Sequence, residues 1–372
     1  MRDQAAIAGI GQTAFGKAVE GSEAELACRA ILAALDDAGV APGEVDGLCS
    51  YTMEATEEVD IARNLGLGDI TFFSQVGYGG GAGCGTVGHA AMAVATGQAR
   101  TVVAWRSRKR GSGQRPWASR VGRLPAPIAW TRPWGLLRPV DEIAMLTRRY
   151  MHEYGATRDH LANVAMNCRA YANRNPNAVM HDKPMTRDDY MNARWISEPL
   201  CLFDNCLETD GALAAVITST ERARDLKQPV VTIHAFGQGI PQQHQTMTNY
   251  FNDDPLMGPS YACAQVLWRQ ADVTPADVKV AQLYDAFSPL IPLSWEGYGF
   301  CERGEGKDFD RVPYNTSGSG LSEAYVHGFN LINEGVRQLR GTSTGQVDGA
   351  DVALVTSGEG VPTSALLLTK GR

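Results

Sequence analysis

The sequence has no long apolar run and no paired-cysteine motif. No stretch reaches the roughly 18 apolar residues of a membrane span, and the first residues do not form a secretory signal. The 8 cysteines include no Cys-x-x-Cys pair, which argues against a zinc site and a disulfide framework. No Walker-type motif occurs, and no Gly-x-Gly-x-x-Gly is followed by a suitable acidic residue. We therefore expect a soluble, cytoplasmic protein without metal or nucleotide cofactor.

Acidic residues are absent from one segment, Thr101–Val140, although the whole chain has a formal net charge of -7. The overall negative charge argues against nucleic acid as a general partner. The segment is instead rich in arginine, with four tryptophans interleaved. Such a local reversal of charge indicates binding of a particular anion or of a particular partner.

Glycine is abundant, and the 40 glycines cluster at Gly77–Gly85, Gly318–Gly320 and Gly358–Gly360. Such clusters mark tight turns and places where a backbone approaches something closely. The first cluster leads into Cys84–Thr96, which is apolar nearly all round and predicts a central buried helix. Ser22 and Glu25 have the spacing of a capping box and predict a helix that continues to Gly39.

The order of elements repeats along the chain. A glycine-rich turn, a buried helix and a buried strand occur in the first part and again in the second, which predicts two related halves. We place the N-terminal half at residues 1–225, including a lid-like loop subdomain at about 106–202, and the C-terminal half at residues 226–372.

Several motifs in a fixed order resemble the thiolase superfamily, specifically its lipid-transfer or sterol-carrier branch. They lie at Ala8–Thr13, Asn173–Ala178, Ser197–Leu200, Thr209–Ala212, Tyr284–Ser288 and Gly299–Gly306. The resemblance spans nearly the whole chain. It implies an α/β thiolase fold, in which two βαβαβ-type halves form a five-layered α-β-α-β-α arrangement with a loop subdomain.

The groups that carry acyl transfer in a thiolase are missing from this sequence. The nucleophile position falls on Gly80, and Tyr325 takes the histidine position of the Gly-His-Pro motif. Tyr284 takes the histidine position of the His-Asp-Cys-Phe motif, and Ala353–Gly358 lacks the C-terminal cysteine. An acyl-cysteine mechanism is therefore not expected at these positions.

This pattern is similar to that of the steroid side-chain retro-aldolases of actinobacteria. The resemblance implies cleavage of a 17-hydroxy-3-oxo-4-pregnene-20-carboxyl-CoA type thioester to a 17-ketosteroid and propionyl-CoA through an enolate. One of Tyr284 and Tyr325 would take the hydroxyl proton and the other would protonate the enolate carbon, with their assignment open. The base would need a lowered pKa. His327 is a candidate helper, either as a hydrogen-bond partner or as a local cation.

Backbone N–H groups at Gly80 and Gly358 are expected to stabilise the thioester oxyanion. Arginines of the basic segment are candidates for CoA phosphates or for a partner protein, and a solvated loop face is the third possibility. These candidates are Arg108, Arg110, Arg115, Arg120 and Arg123. The resemblance implies that the CoA thioester is the substrate, so no further cofactor is expected.

The resemblance also implies a homodimer and a small OB-fold, zinc-ribbon partner protein from the enoyl-CoA hydratase system. Two other functions remain open from the sequence. One is a noncatalytic acyl-CoA or sterol carrier, or a scaffold subunit. The other is a thiolase-type acetyl-CoA acyltransferase that uses Cys84 as its nucleophile.

Overall fold

The computed structural model describes residues 1–113, 126–244, 247, 249 and 251–371. The strands are β1 Ala5–Gln12, β2 Gly47–Tyr51, β3 Phe72–Val76, β4 Thr101–Lys109, β5 Trp195–Ser197, β6 Leu200–Cys201, β7 Asp210–Ser219, β8 Val231–Gly239, β9 Val280–Gln282, β10 Val352–Ser357 and β11 Thr363–Lys370. The helices are α1 Glu23–Ala38, α2 Glu58–Leu65, α3 Gly83–Ala95, α4 Ala126–Thr131, α5 Pro139–Tyr154, α6 Arg158–Ala172, α7 Arg187–Met191, α8 Thr220–Ala223, α9 Pro259–Gln270, α10 Leu290–Gly297 and α11 Phe329–Arg340.

Two groups of strands meet along one short seam. Within the described residues they join in the order β3-β2-β4-β7-β1-β8-β11-β10-β9. The seam is the antiparallel pairing of Ala5–Ile7 in β1 with Val231–Ile233 in β8. The first group therefore comes from the N-terminal part of the chain and the second from the C-terminal part.

The helices sort into three layers around these two strand groups. Helices α3 and α11 contact strands of both groups, so they lie between them. Helix α1 contacts β1, β7 and β4 from one side, whereas α9 contacts β8 and β11. The result is the predicted α-β-α-β-α order of layers.

The first helix begins where its capping sequence predicts. The Ser22 hydroxyl accepts a hydrogen bond from the backbone N–H of Glu25 at 3.1 Å, and the helix ends at Gly39 with φ of 72°. Glycines in β1 let the strand approach this helix closely. A Cβ atom added at Gly9 would lie 2.2 Å from the carbonyl oxygen of Ala34, so only glycine fits.

The two central helices differ in how well the sequence predicts them. Helix α3 begins within one residue of the predicted start and is almost entirely buried, as its apolar composition requires. The sequence after the second glycine cluster predicts a helix over Val326–Leu339, but α11 starts at Phe329, because His327 and Gly328 both adopt left-handed backbone angles. Its buried polar residues are hydrogen-bonded, as in the contact between Asn330 and Glu323 at 2.8 Å.

The predicted loop subdomain begins inside β4, and the described part that follows is largely helical. It contains α4 to α7 and the β5–β6 hairpin. Asp210 ties the end of β4 to β7, since its carboxylate accepts hydrogen bonds from the backbone of Gly111 at 2.8 Å and Ser112 at 3.1 Å. The division of the chain at residues 225 and 226 stays a prediction, and it falls between α8 and β8.

In the part of the chain that the structure covers, no helix combines the length and apolar character needed to cross a membrane. The predicted cytoplasmic location stays a prediction.

Candidate active site

A cavity of about 930 Å³ lies between the start of α3, helix α5 and the loops that follow β9 and β10. Much of its wall is apolar. The apolar lining includes Val140, Ile143, Ile196, Leu202, Phe203, Phe287, Leu290 and Val361. Six of the predicted site residues come together in this cavity, namely Gly80, Arg108, Arg110, Tyr284, Tyr325 and His327.

Tyr284 follows strand β9 directly, and its backbone is held on both sides. Its N–H donates to the Thr356 hydroxyl at 2.9 Å, and the N–H of Leu283 donates to the Asn315 side chain at 2.7 Å. The Tyr284 ring is 4% exposed, and its hydroxyl forms a short hydrogen bond with the hydroxyl of Tyr325. The two predicted tyrosines therefore face the cavity as one hydrogen-bonded pair.

Gly80 leaves the space that the Tyr284 hydroxyl occupies. A Cβ atom added at Gly80 would lie 1.8 Å from the Tyr284 hydroxyl oxygen and 2.3 Å from the carbon that bears it. Real atoms do not approach this closely, so a side chain at position 80 and the observed phenol position exclude each other. The absence of a side chain at position 80 is therefore what allows the Tyr284 hydroxyl to occupy this space.

Tyr325 is carried by a turn that Asp285 holds in place. The turn contains a π-helical segment, Ser319–Glu323. The Asp285 carboxylate accepts hydrogen bonds from the backbone of Gly320 at 2.9 Å and Leu321 at 3.2 Å. Thr209 then fixes Tyr325 itself, because its hydroxyl accepts from the Tyr325 N–H at 2.9 Å.

Both phenols are held in their neutral form. Burial raises the pKa of Tyr284 well above the ordinary phenol value, and the neighbouring Tyr325 raises it further. Burial likewise raises the pKa of Tyr325, while Arg110, whose guanidinium lies 5.4 Å from the ring centre, opposes the shift. The lowered pKa expected for a tyrosine base is therefore wrong, because desolvation outweighs the nearby positive charge.

His327 lies beside Tyr325, with ring centres 5.5 Å apart. Its Nδ1 atom is 3.0 Å from an Nη atom of Arg106, which can only donate, so Nδ1 accepts. Burial lowers the pKa of His327 well below the ordinary value, and Arg106, Arg108 and Arg110 lower it further. Of the two predicted roles, the geometry favours the hydrogen-bond partner and disfavours the local cation.

Comparison with known proteins identifies the family to which the chain belongs. Residues 242–369 match the thiolase C-terminal domain-like family. A Thermomonospora curvata protein named steroid side-chain-cleaving aldolase is 47% identical over 387 residues, which cover 99% of this chain and 98% of that protein. This chain belongs to the steroid side-chain-cleaving aldolases, a family with the thiolase fold. The predicted resemblance is therefore confirmed.

A second named relative and a solved structure are as similar to the chain. A Mycobacterium tuberculosis protein named 17-hydroxy-3-oxo-4-pregnene-20-carboxyl-CoA lyase is 47% identical over 384 residues, covering 98% of this chain and 99% of that protein. A solved structure named Ltp2-ChsH2(DUF35) aldolase superposes with a TM-score of 0.96 at 47% identity, covering 100% of this chain and 99% of that one.

Cys84 does not have the surroundings of a nucleophile in this aldolase scaffold. Its side chain is fully buried and does not line the cavity. The thiol lies 3.4 Å from the Val355 carbonyl oxygen and 3.2 Å from the Ser357 hydroxyl, and burial raises its pKa to about 12. A thiolate is the reactive form, so the structure argues against the acyltransferase alternative.

The second predicted oxyanion residue, Gly358, lies behind Gly80 as seen from the cavity. Its φ angle is 84°, and a Cβ atom added there would lie 2.8 Å from the Cα atom of Gly81. Gly80 lines the cavity, whereas the wall near Gly358 is formed by Glu359 and Val361. The proposed roles of the Gly80 and Gly358 backbones stay predictions.

The basic candidates divide into those that reach the cavity and those that lie outside the described residues. Arg108 and Arg110 line the cavity, and burial lowers the pKa of Arg108 to about 10, with Arg106 and Arg110 adding to the shift. Arg115, Arg120 and Arg123 lie outside the described residues. Sequence reasoning missed five other cations on the wall. They are Lys17, Arg138, Arg169, Lys183 and Arg194.

Other residues at the site carry no signal in the sequence. Glu359 lines the cavity, is 3% exposed, and burial raises its pKa to about 7. Arg106 and Glu54 form a buried ion pair at 3.0 Å directly behind His327. These residues come from distant segments, so no motif or spacing could have grouped them. Among the described residues, no cluster of three metal-binding side chains occurs.

Proposed function

We propose that this chain is a retro-aldolase that cleaves the side chain of a steroid CoA thioester. The expected substrate is of the 17-hydroxy-3-oxo-4-pregnene-20-carboxyl-CoA type, and the products are a 17-ketosteroid and propionyl-CoA. One observation carries the proposal, namely the neutral Tyr284–Tyr325 hydroxyl pair facing a cavity where Gly80 offers no nucleophile. The two curated relatives at 47% identity are named for this class of reaction.

Retro-aldol cleavage moves one proton from the tertiary hydroxyl of the substrate to the α-carbon of the thioester. As the hydroxyl loses its proton, its carbon–carbon bond to the α-carbon breaks, the ketone forms and the electron pair becomes a thioester enolate. As this charge develops, the α-carbon gains the proton and gives propionyl-CoA. Atoms and charges therefore balance without an added reagent.

Two hydrogen-bonded neutral phenols suit this transfer. The phenol nearer the substrate hydroxyl accepts its proton while passing its own proton to the second phenol. Because a neutral phenol cannot hold a second proton, the second phenol delivers its own proton to the α-carbon in the same concerted step, as enolate charge develops there. Neither Tyr284 nor Tyr325 has to ionise, which agrees with the direction in which burial shifts both pKa values.

The cavity has the character that this substrate requires. Its apolar wall suits the steroid rings, whereas arginine and lysine side chains suit the phosphates of CoA. Arg108 and Arg110 lie on the wall near the tyrosines, and Arg169, Lys183 and Arg194 add positive charge from the predicted loop subdomain. We assign CoA binding to this group of cations.

We propose that the active assembly includes a partner subunit. The similar solved structure is named as an aldolase of two components, Ltp2 and ChsH2(DUF35). An OB-fold, zinc-ribbon protein remains the expected form of the partner. A homodimer is also expected, and strand β3 offers a surface for it, since it lies at the end of the sheet order and leaves Phe73 71% exposed.

The test is product analysis with a steroid β-hydroxyacyl-CoA that bears a tertiary hydroxyl. The chain is incubated with it alone and together with the ChsH2(DUF35) subunit of the similar complex. We expect equal amounts of the ketosteroid and propionyl-CoA, at least in the second case. Tight binding of the thioester without either product in both cases would overturn the aldolase and favour a carrier.

A further inference from the structure

A chain of three buried side chains runs from the interior to the cavity wall behind Tyr325. Glu54 accepts from an Nη atom of Arg106 at 3.0 Å, and the other Nη atom lies 3.0 Å from Nδ1 of His327. The Glu54 and Arg106 side chains are 0% exposed, and His327 is 5% exposed. The backbone N–H groups of Tyr284 and Tyr325 donate to Thr356 and Thr209 instead, so this row of three side chains calls for a separate explanation.

Glu54, Arg106 and His327 are each fixed by further contacts. Glu54 also accepts from the backbone N–H of Ser107 at 2.9 Å, and the Thr56 hydroxyl lies 3.1 Å from its other oxygen. The Arg106 guanidinium lies 4.8 Å from the centre of the Tyr51 ring. Tyr51 in turn stacks on His327, with ring centres 6.1 Å apart and planes at 30°. The imidazole is therefore held in one orientation.

The Arg106 contact also decides which ring nitrogen of His327 carries the proton. Arginine has donors only, so Nδ1 must be unprotonated, and a neutral ring then has its proton on Nε2. Within the described part of the chain, Nε2 makes no hydrogen bond, and His327 lines the cavity. Nε2–H is therefore a donor available to a molecule bound in the cavity.

We propose that His327 donates a hydrogen bond from Nε2 to the thioester oxygen of the substrate, and that Arg106 and Glu54 are positioning residues for this donor. The inference rests on the proposed retro-aldol function. The thioester oxygen becomes negatively charged when the carbon–carbon bond breaks, so a fixed donor aimed at it stabilises the enolate. A neutral imidazole can polarise a carbonyl in this way without giving up its proton.

Two substitutions at the same position separate this role from a structural one. Asparagine places its amide oxygen near the Nδ1 position and keeps a partner for Arg106, but it has no donor at the Nε2 position. Glutamine reaches the Nε2 position with its amide nitrogen. The φ angle of His327 is 51°, which asparagine tolerates better than most residues, so folding alone favours His327→Asn.

The experiment measures kcat and KM for both variants and the wild type with the steroid β-hydroxyacyl-CoA and the ChsH2(DUF35) subunit. We expect kcat of His327→Asn to fall about 100-fold or more, as for removal of one oxyanion donor, with KM changed little. We expect His327→Gln to keep at least tenfold more of the wild-type kcat than His327→Asn. Equal kcat values, or a better asparagine variant, overturn the proposal.

The positioning role is tested with the double variant Glu54→Gln and Arg106→Gln, which leaves no unpaired charge. The charged and titratable groups near His327 are Arg106, Arg108, Arg110, Tyr51 and Tyr325, so removing Arg106 removes one of three cations that keep the ring neutral. We expect kcat to become pH-dependent on the acid side, where His327 now gains a second proton, whereas the wild type shows no such dependence. A profile and kcat equal to the wild type would overturn the positioning role.

If the double variant does not fold, the two His327 variants decide the proposal alone. Wild-type turnover in the same assay keeps the two claims apart. If the wild type cleaves the substrate and the asparagine variant equals or exceeds the glutamine variant, only the histidine role fails. If the wild type gives no products, the retro-aldolase itself fails and the histidine role with it.

Discussion

Gly80 and Cys84 stand four residues apart in the glycine-rich segment that leads into α3, yet their surroundings differ completely. Gly80 lines the cavity and leaves room for the hydroxyl of Tyr284. Cys84 faces the interior against Val355 and Ser357, where burial raises its pKa to about 12. The position that faces the substrate has no sulfur, and the sulfur that remains is protonated.

The comparison shows that facing direction and burial, rather than the presence of a residue type nearby, decide the chemistry. A cysteine close to a nucleophile position is chemically silent when it is packed and protonated. A tyrosine from a distant strand supplies the functional group instead, because a glycine gives it space. Substitutions at the cavity-facing groups should therefore change turnover, whereas substitution of the buried cysteine should not.

The largest effect is expected from removing either hydroxyl of the tyrosine pair. Tyr284→Phe and Tyr325→Phe keep the rings but break the proton path, so kcat should fall about 10²–10⁴-fold. Binding of the CoA thioester should remain, and both variants should fold. Turnover assays combined with thioester binding measurements check this. A variant of either kind with wild-type kcat would remove that tyrosine from the mechanism.

The next largest effect is expected at Gly80. In Gly80→Ala the new methyl group must displace the Tyr284 ring, and a misplacement of about 1 Å can cost about 100-fold in rate. Overpacking of this kind also costs about 1–3 kcal/mol of stability. Steady-state kinetics and thermal unfolding measure both. Unchanged kinetics would show that the steric link to Tyr284 is unimportant.

Cys84→Ala is the matched control within the same segment. It removes a buried thiol that does not reach the cavity, so kcat should stay within about twofold of the wild type while stability falls by about 1 kcal/mol. Loss of turnover in this variant would instead support the acyltransferase alternative.

An effect on stability that depends on pH, without a large effect on turnover, is expected at Glu359, where burial on the cavity wall raises the pKa to about 7 from 4.5. The folded protein keeps this proton while the unfolded chain releases it. The stability contribution is therefore complete below about pH 4.5 and is lost as the pH rises through about 7. Glu359→Gln cannot ionise, so its advantage over the wild type should grow with pH.

Thermal unfolding of both proteins between pH 5 and 8 measures that difference. We expect the glutamine variant to gain about 2 kcal/mol relative to the wild type between these limits, an estimate based on the size of the shift. Asp285 and Glu323 also have raised pKa values, but they are present in both proteins and cancel. Parallel unfolding curves would show that burial does not control this carboxyl.

The sequence predicts the layered fold and the two tyrosines, because motif order along the chain survives even where the catalytic groups have changed. Helices α1 and α3 also follow from capping and apolar composition. The start of α11 does not, since it is set by the left-handed angles of His327 and Gly328, and a Cβ atom at Gly328 would lie 2.9 Å from a carbon of the distant Tyr284 ring.

The rest of the candidate site depends on contacts between distant segments. The Gly80 and Tyr284 contact, the Glu54–Arg106–His327 chain and the cavity cations of the loop subdomain leave no local pattern in the sequence. The pKa values of the two tyrosines could not be predicted from the sequence either. Solution chemistry predicts a lowered tyrosine pKa, whereas the folded protein buries both phenols and keeps them neutral.

In the proposed retro-aldol mechanism the carbon–carbon bond breaks without a covalent acyl-enzyme. Its most direct test is the intact mass of the protein, quenched during turnover of the steroid β-hydroxyacyl-CoA, with both products quantified in the same samples. The retro-aldol mechanism predicts an unchanged protein mass while ketosteroid and propionyl-CoA form in equal amounts. A protein species heavier by an acyl group, and absent from Cys84→Ala, would contradict it.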